Sequence, residues 1–236
     1  MESSVGGEEK VAVAFSGGLD SSVVATCAAA DAQVIACTAY ADGAGDSARA
    51  RRAADALGVE LVVTRLTPET VAREIAGIDL PFEATLMDRS LWCLYSIVSQ
   101  SAREAGARLI LLGQLADELF GGYAKYYAAM GGRGADVVAS MMEADVEEYF
   151  RRGRIRDMKA CSRWVEPRLP FEQLVGYAAT IPMSLKMRDG VRKAVLRRAA
   201  VELGVPETIA WEPKKAAQYS SGVQKLVANA PFNSPE

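Results

Sequence analysis

The chain has 236 residues, of which 50% are hydrophobic and 24% are charged, as in an ordinary folded domain. This length predicts a single domain, or one domain with a small appendage, and the composition excludes general disorder. Lys and Arg number 27 against 30 Asp and Glu, so the net charge of -3 disfavours a broad nucleic-acid-binding surface. The absence of histidine excludes imidazole bases, Ser-His-Asp nucleophiles and zinc sites that need histidine.

Neither the amino terminus nor the cysteines indicate export or membrane insertion. Residues 1–10 are polar and acidic, unlike a secretory signal, and no apolar run reaches the ~18 residues of a membrane span. The cysteines form no C-x-x-C pair and lie in apolar surroundings, which predicts reduced, packed thiols. They are Cys27, Cys37, Cys93 and Cys161. We therefore expect a cytoplasmic protein with no membrane partner.

Strand and helix patterns alternate in the first half of the chain. Short, apolar segments predict strands over residues 11–15, 34–38, 60–64 and 108–112. Helical patterns lie between them, and Thr67 followed by Pro68 is typical of a helix start. The alternation predicts an α/β fold, a parallel sheet with helices on both faces, over residues 1–125. Residues 126–236 show helical patterns interrupted by prolines, and we expect them to pack on the core within one domain, 1–236.

The first predicted strand leads directly into the glycine-rich segment S-G-G-L-D-S-S, residues 16–22, and then into a helix. Glycines let the backbone approach a ligand closely, so free N–H groups at the helix N-terminus can hold phosphate oxygens. Asp20 would repel a phosphate unless a cation lies between them, which predicts a bound Mg²⁺. The other candidate binding residues of this segment are Ser16, Gly17, Gly18, Ser21 and Ser22.

A second motif, G-Q-L-A-D-E-L-F-G-G-Y over residues 113–123, follows the fourth predicted strand. It brings Gly113 and the acidic pair Asp117 and Glu118 to the carboxyl end of a parallel strand, where open α/β sheets bind ligands. Because Asp20 and Asp117 follow different strands of one sheet, they can share one Mg²⁺.

The segment S-G-G-L-D-S-S resembles the phosphate loop of the N-type ATP pyrophosphatases, also called PP-loop enzymes. The second motif is similar to G-A-D-E-L-F-G-G-Y of the asparagine synthetase family. Weaker matches follow in the family's order: E-P-R-L-P-F at residues 166–171, K-A-V-L-R at 193–197, and P-K-K-A-A-Q-Y-S-S-G at 213–222. The resemblance spans residues from about 10 to 225. It implies the PP-loop fold and cleavage of ATP to AMP and pyrophosphate.

The resemblance also implies roles for individual residues. The phosphate loop, Gly113 and Lys193 would bind ATP, and Asp20 and Asp117 would hold Mg²⁺. Lys214 would be the catalytic lysine that contacts the α-phosphate, with Lys215 as a rival one position away. Glu166 would face the amine or the acyl group, and Arg168 is expected to be a structural ion-pair partner. The implied activity is an AMP-forming amide ligase that adenylates a small-molecule carboxylate.

The amine and its source stay open at this point. Gln114 stands where the asparagine synthetases have Glu and β-lactam synthetase has Tyr, and this position distinguishes acceptors. Only ten residues precede the first strand, so we expect no glutamine amidotransferase domain in this chain. Ammonia would come from solution or from a separate ammonia-supplying subunit, or another amine would replace it. A homo-oligomer also stays open.

Two alternative functions remain. A PP-loop enzyme that adenylates a tRNA base is supported by the basic stretch over residues 151–156, although nucleic acid is not the favoured partner. A non-catalytic, ATP-binding regulatory subunit is supported by the altered residue Gln114. The absence of histidine agrees with the leading hypothesis, because that chemistry needs amides, carboxylates and lysines only.

Overall fold

Five parallel strands form the central sheet. In chain order they are β1 (Lys10–Ala14), β2 (Gln33–Ala41), β3 (Glu60–Leu66), β4 (Leu109–Leu111) and β5 (Glu166–Arg168). The computed structural model describes residues 5, 7–43, 47–213 and 221–230. Across the sheet the order is β3-β2-β1-β4-β5, so β1 is central and pairs with both β2 and β4. The four predicted strands and the predicted α/β class are therefore confirmed.

Helices cover the sheet and build the carboxyl-terminal portion. Those of the first half are α1 (Leu19–Ala28), α2 (Ser47–Leu57), α3 (Pro68–Ala76), α4 (Leu86–Glu104) and α5 (Ala116–Phe120). Those of the second half are α6 (Ala124–Arg133), α7 (Ala135–Glu148), α8 (Arg154–Ser162), α9 (Val175–Thr180), α10 (Met183–Lys186), α11 (Ala194–Glu202), α12 (Glu207–Ala210) and α13 (Val223–Asn229). A π-helical turn, Tyr149–Gly153, joins α7 to α8.

The core lies on both faces of the sheet. Val11, Ala12 and Val13 of β1 have no exposed surface, and Ile110 of β4 is equally buried. Such continuous apolar strands are expected where helices cover both faces of a parallel sheet. The long helix α4 packs against α8, α3 and α13 and closes one face.

Local signals fix the starts of two helices. The Thr67 hydroxyl accepts a hydrogen bond from the N–H of Thr70, and Pro68 is the first residue of α3, as the sequence predicts. Thr85 caps α4 in the same way through the N–H of Asp88, whose carboxylate accepts from the N–H of Thr85. The helix α4 consequently begins at Leu86.

The second half of the chain is not helical throughout, which corrects the predicted division at residue 125. The strand β5 completes the sheet: the N–H of Glu166 donates to the carbonyl of Arg108, and the N–H of Leu112 donates to the carbonyl of Arg168. Pro167 in its middle has no N–H to donate, which is tolerated because β5 is an edge strand. A short hairpin of β6 (Met187–Arg188) and β7 (Val191–Arg192) adds a second, two-stranded sheet.

The thiols differ in exposure. Cys27 is exposed, so the prediction of packing is wrong for this residue. Cys37, Cys93 and Cys161 are buried, and burial raises the pKa of each thiol to about 12. Within the described residues, every helix is too short or too polar to cross a membrane.

Candidate active site

The loop between β1 and α1, residues 16–22, lies at the carboxyl edge of the sheet. Gly17 has a left-handed φ of +69°, and a Cβ atom there would lie 2.8 Å from the Cα atom of Ala50, so glycine is required. The Ser21 hydroxyl donates to the carbonyl of Gly18 over 3.2 Å, and the N–H of Gly18 donates to the Ser16 hydroxyl over 3.4 Å. These bonds hold the loop ahead of the α1 N-terminus, where free N–H groups favour an anion.

A cavity of about 1080 Å³ adjoins this loop and is large enough for a small-molecule ligand. Thr38, Ala39 and Tyr40 at the end of β2 line it, as do the apolar residues Leu91 and Leu94 of α4. The predicted site residues in its wall are Ser16, Asp20, Ser21, Gly113 and Asp117. The structure therefore brings the two predicted motifs together at one cavity, at the carboxyl ends of β1 and β4.

Lys193 joins the two predicted metal ligands. Its Nζ atom lies 2.6 and 2.7 Å from the carboxylate oxygens of Asp20 and 2.7 Å from Oδ1 of Asp117. The lysine side chain is only 3% exposed. Burial by itself would lower the pKa of Lys193, but the two carboxylates outweigh burial and raise it. Lys193 therefore keeps its positive charge at neutral pH beside the phosphate loop.

Gly122 makes room for this ion cluster. A Cβ atom at Gly122 would lie 1.8 Å from Oδ1 of Asp117 and 2.3 Å from Cε of Lys193. The N–H of Gly122 donates to the main-chain carbonyl of Asp117 over 2.8 Å. The Gly-Gly turn of the second motif thus packs directly against the charged groups, which explains why a side chain is excluded there.

The two aspartates have the donor chemistry of a Mg²⁺ site, which substrate phosphates and water would complete. Within the described part of the chain, no group of three His, Cys, Asp or Glu side chains could hold a metal. Mg²⁺ is commonly held by one or two carboxylates together with substrate phosphates and water. Asp20 and Asp117 both contact the ammonium of Lys193, so their oxygens already converge on one cation.

Gln114 lies in the cavity wall and is oriented by a buried carboxylate. Its Nε2 donates to Oδ2 of Asp157 over 3.1 Å, and the Tyr149 hydroxyl donates to the same oxygen over 3.0 Å. Burial raises the pKa of Asp157, although Arg156 opposes this effect. Because the amide nitrogen faces Asp157, the Gln114 oxygen is the atom that can accept a hydrogen bond from a ligand.

The π-helical turn, Tyr149–Gly153, shapes the same wall of the cavity. A Cβ atom at Gly153 would lie 2.5 Å from the ring of Tyr149, so the turn requires glycine for the ring to pack there. Both residues line the cavity. Turns of this kind inside α-helices are frequent at functional sites.

The basic residues at 151–156 are paired within the chain. The ion pairs are Arg151–Glu148, Arg152–Asp88, Arg154–Glu172 and Arg156–Asp88. Burial would raise the pKa of Asp88, but hydrogen bonds from Thr85, Arg152 and Arg156 outweigh it and lower this pKa. Arg152 and Arg156 also line the cavity, so two of these four arginines belong to the site.

Glu118 is a second buried acid at the cavity. It is 8% exposed, and its Oε1 accepts a hydrogen bond of 2.6 Å from the Tyr123 hydroxyl. Burial raises the pKa of Glu118, and the neighbouring Asp117 adds to the increase. Glu118 is thus a protonatable group close to the ion cluster.

Glu166 does not line this cavity, so the structure does not bring it to the position that its predicted catalytic role needs. It pairs with Leu109 at the start of both strands, so it lies at the amino edge of the sheet, opposite the phosphate loop. Its side chain is 63% exposed and pairs with Arg168 over 2.9 Å. It lines a separate cavity with Arg103 and Trp164. The ion pair confirms the structural role that the sequence predicts for Arg168.

Ser22 is fully buried and does not line the cavity. Lys214 and Lys215 lie outside the described residues, so the predicted catalytic lysine stays a prediction.

Sequence reasoning missed Asp88, although a lone acid three residues after Thr85 has the spacing of a capping box. It also missed Arg49, which no motif marks.

Comparison with known proteins agrees with the two motifs. The family model of asparagine synthase matches residues 2–157 and 132–231, which together cover most of the chain. The chain belongs to the asparagine synthase family. The curated relatives of this family include "Putative asparagine synthetase (glutamine-hydrolyzing) 1" of Methanocaldococcus jannaschii, 30% identical over 94% of the chain and 48% of that protein. The resemblance predicted from the sequence is thereby confirmed.

Other family relatives are longer than the matched region. "Asparagine synthetase domain-containing protein 1" of Bos taurus is 28% identical over 61% of the chain and 26% of its own length. The chain thus spans about half of the first relative and about a quarter of the second. Among solved structures, NMN synthetase from Francisella tularensis is 12% identical with a TM-score of 0.49, covering 96% of this chain and 79% of that one.

Proposed function

We propose that this protein is an ATP-dependent, AMP-forming amide ligase. It adenylates a small-molecule carboxylate, releases pyrophosphate and joins the acyl group to an amine. The observation that carries the proposal is the cluster of Asp20, Lys193 and Asp117 beside the phosphate loop, at the edge of a cavity large enough for a nucleotide and a second substrate. Membership in the asparagine synthase family supports the same class of reaction.

The first step is attack of a carboxylate oxygen on the α-phosphorus of ATP, with cleavage of the bond to pyrophosphate. The loop N–H groups and Lys193 neutralise the charge that develops on the departing pyrophosphate. Mg²⁺ held by Asp20 and Asp117 would supply further positive charge to the phosphates. Lys214, by its match to the family's lysine motif, would contact the α-phosphate.

In the second step the amine attacks the acyl carbon, and AMP leaves with one oxygen of the original carboxylate. Gln114 lines the cavity with its amide nitrogen held by Asp157, so its oxygen would accept a hydrogen bond from the amine N–H. Glu118 is buried at the cavity and can take up the proton that the amine loses. The amine is ammonia, from solution or a separate supplying subunit, or a small primary amine.

The test is to incubate the protein with ATP, Mg²⁺ and a panel of carboxylates labelled with oxygen-18, together with ammonia or primary amines. We expect AMP and pyrophosphate in equal amounts, with one labelled oxygen transferred to AMP. Asp117→Asn should abolish this transfer. The control is Lys159→Met, which replaces an exposed lysine on α8 and should leave the transfer unchanged. Formation of ADP, or ATP binding with no AMP under every condition, would contradict the proposal.

A further inference from the structure

A buried arginine lies behind the phosphate loop. Arg49, in the first turn of α2, is 5% exposed. Its Nη2 atom would lie 3.5 Å from a Cβ atom at Gly18, and the backbone of the next residue, Ala50, packs against Gly17. The guanidinium therefore lies directly beside the glycines of the loop.

One carboxylate orients this guanidinium without satisfying it. The Nε atom of Arg49 donates to Oε2 of Glu212 over 2.8 Å. Among the described residues, none accepts a hydrogen bond from its two terminal nitrogens. The guanidinium keeps N–H donors beyond Nε that have no such acceptor, so these nitrogens are suited to an anion that arrives later.

Further positive charge surrounds the same region. Burial lowers the pKa of Arg197, and Asp20 opposes this effect. The neighbouring cations Arg192 and Arg49 lower the pKa of Arg197 further. The side chain of Arg197 is occupied by main-chain carbonyls, including those of Ala210 and Glu212. The guanidinium of Arg49 thus remains available in a field that favours anions.

The course of a bound nucleotide follows from the cavity. Ser16, Asp20 and Ser21 line the cavity, whereas Gly17 and Gly18 do not. In the proposed reaction the α-phosphate lies in the cavity, where it meets the carboxylate. The outer phosphates would then continue along the loop toward Gly18. Arginine binds phosphate oxygens through two parallel N–H groups, which suits this end of the loop.

We propose that Arg49 is an additional pyrophosphate-binding residue, which binds the outer phosphates of ATP and is held in orientation by Glu212. This inference rests on the proposed function, because it assumes that the loop binds ATP. It adds a ligand-binding residue from α2, an element that none of the five family-like segments includes.

The test compares the affinities of Arg49→Met and wild type for pyrophosphate, ATP and AMP by isothermal titration calorimetry, without turnover. We expect the affinities for pyrophosphate and ATP to fall by about 10- to 100-fold, because a charge-assisted contact is lost. The affinity for AMP should stay within about twofold, because AMP lacks the outer phosphates. Arg52→Met, exposed on the same helix, is the matched control and should change none of the three.

Two further variants keep the test decisive if Arg49→Met folds poorly. Arg49→Lys keeps the charge but not the paired N–H groups, and Glu212→Gln removes the orienting carboxylate, so both should weaken pyrophosphate binding more than AMP binding. An equal loss for all three ligands would indicate a purely structural role and overturn the inference. Unchanged pyrophosphate binding would overturn it as well. Wild-type protein that binds pyrophosphate but forms no AMP would instead refute the proposed function.

Discussion

Replacing Gly122 with alanine tests the ion cluster with one methyl group. The new Cβ atom would lie 1.8 Å from Oδ1 of Asp117, so this oxygen must move by about 1.5 Å to reach ordinary van der Waals contact. Such a shift breaks the 2.7 Å contact between Asp117 and Lys193. Because Asp20 still pairs with Lys193, we expect a loss of about 2 kcal/mol, below the ~3–5 kcal/mol of a fully broken buried pair.

The effect on catalysis should exceed the effect on stability. A misplacement of about 1 Å in a catalytic group can reduce the rate by roughly 100-fold. We therefore expect Gly122→Ala to form AMP about 100-fold more slowly while it remains folded at 25 °C. Pyrophosphate release gives the rate, and urea unfolding followed by circular dichroism gives the free energy of unfolding.

Gly131→Ala is the matched control. Gly131 lies in α6 with no atom within 4 Å of its would-be Cβ, so alanine there should leave the rate unchanged and add up to about 1 kcal/mol of stability. If Gly122→Ala forms AMP within twofold of the wild-type rate and has the wild-type free energy of unfolding, the reasoning from close packing at the ion cluster is wrong.

Lys193→Met leaves the two aspartates without their cation and should reduce AMP formation by about 100-fold or more, whereas Lys159→Met should not. Because the pKa of Asp88 is lowered in the folded state, its stabilising contribution is present above the ordinary aspartate pKa and lost as the pH falls. In urea unfolding, the free energy of unfolding of wild type should exceed that of Asp88→Asn. This difference should shrink below about pH 4 and stay constant above it. Glu166→Gln should keep AMP formation within twofold; a large loss would reinstate its predicted role.

Much of the fold follows from local pattern. The strand β1 and the loop after it are predictable because an apolar run, a glycine turn and a helix start occur within about 20 residues. The strand β5 is not predictable in this way. It has three residues with a proline at the centre, and it forms because β4 offers an unpaired edge far away in sequence.

The site is predictable only in part, for a related reason. Motif matches name residues but carry no information about where in a strand each residue lies. The motif therefore predicts Glu166 at the cavity. In the structure Glu166 begins β5, and it is the carboxyl end of this strand that faces the edge of the sheet with the cavity. Asp20 and Asp117 could be paired because both follow parallel strands. Arg49 could not be found, since its neighbourhood depends on how closely α2 packs against Gly17.

The pairing of β1 with β4 bears on how the chain matures during synthesis. These central partners lie roughly 100 residues apart, and Lys193 is made well after both. Before Lys193 leaves the ribosome, Asp20 and Asp117 lack the ammonium group that both contact in the folded chain. We therefore expect a nascent chain that ends before α11 to carry a phosphate loop that retains no ATP, so nucleotide binding marks a completed molecule.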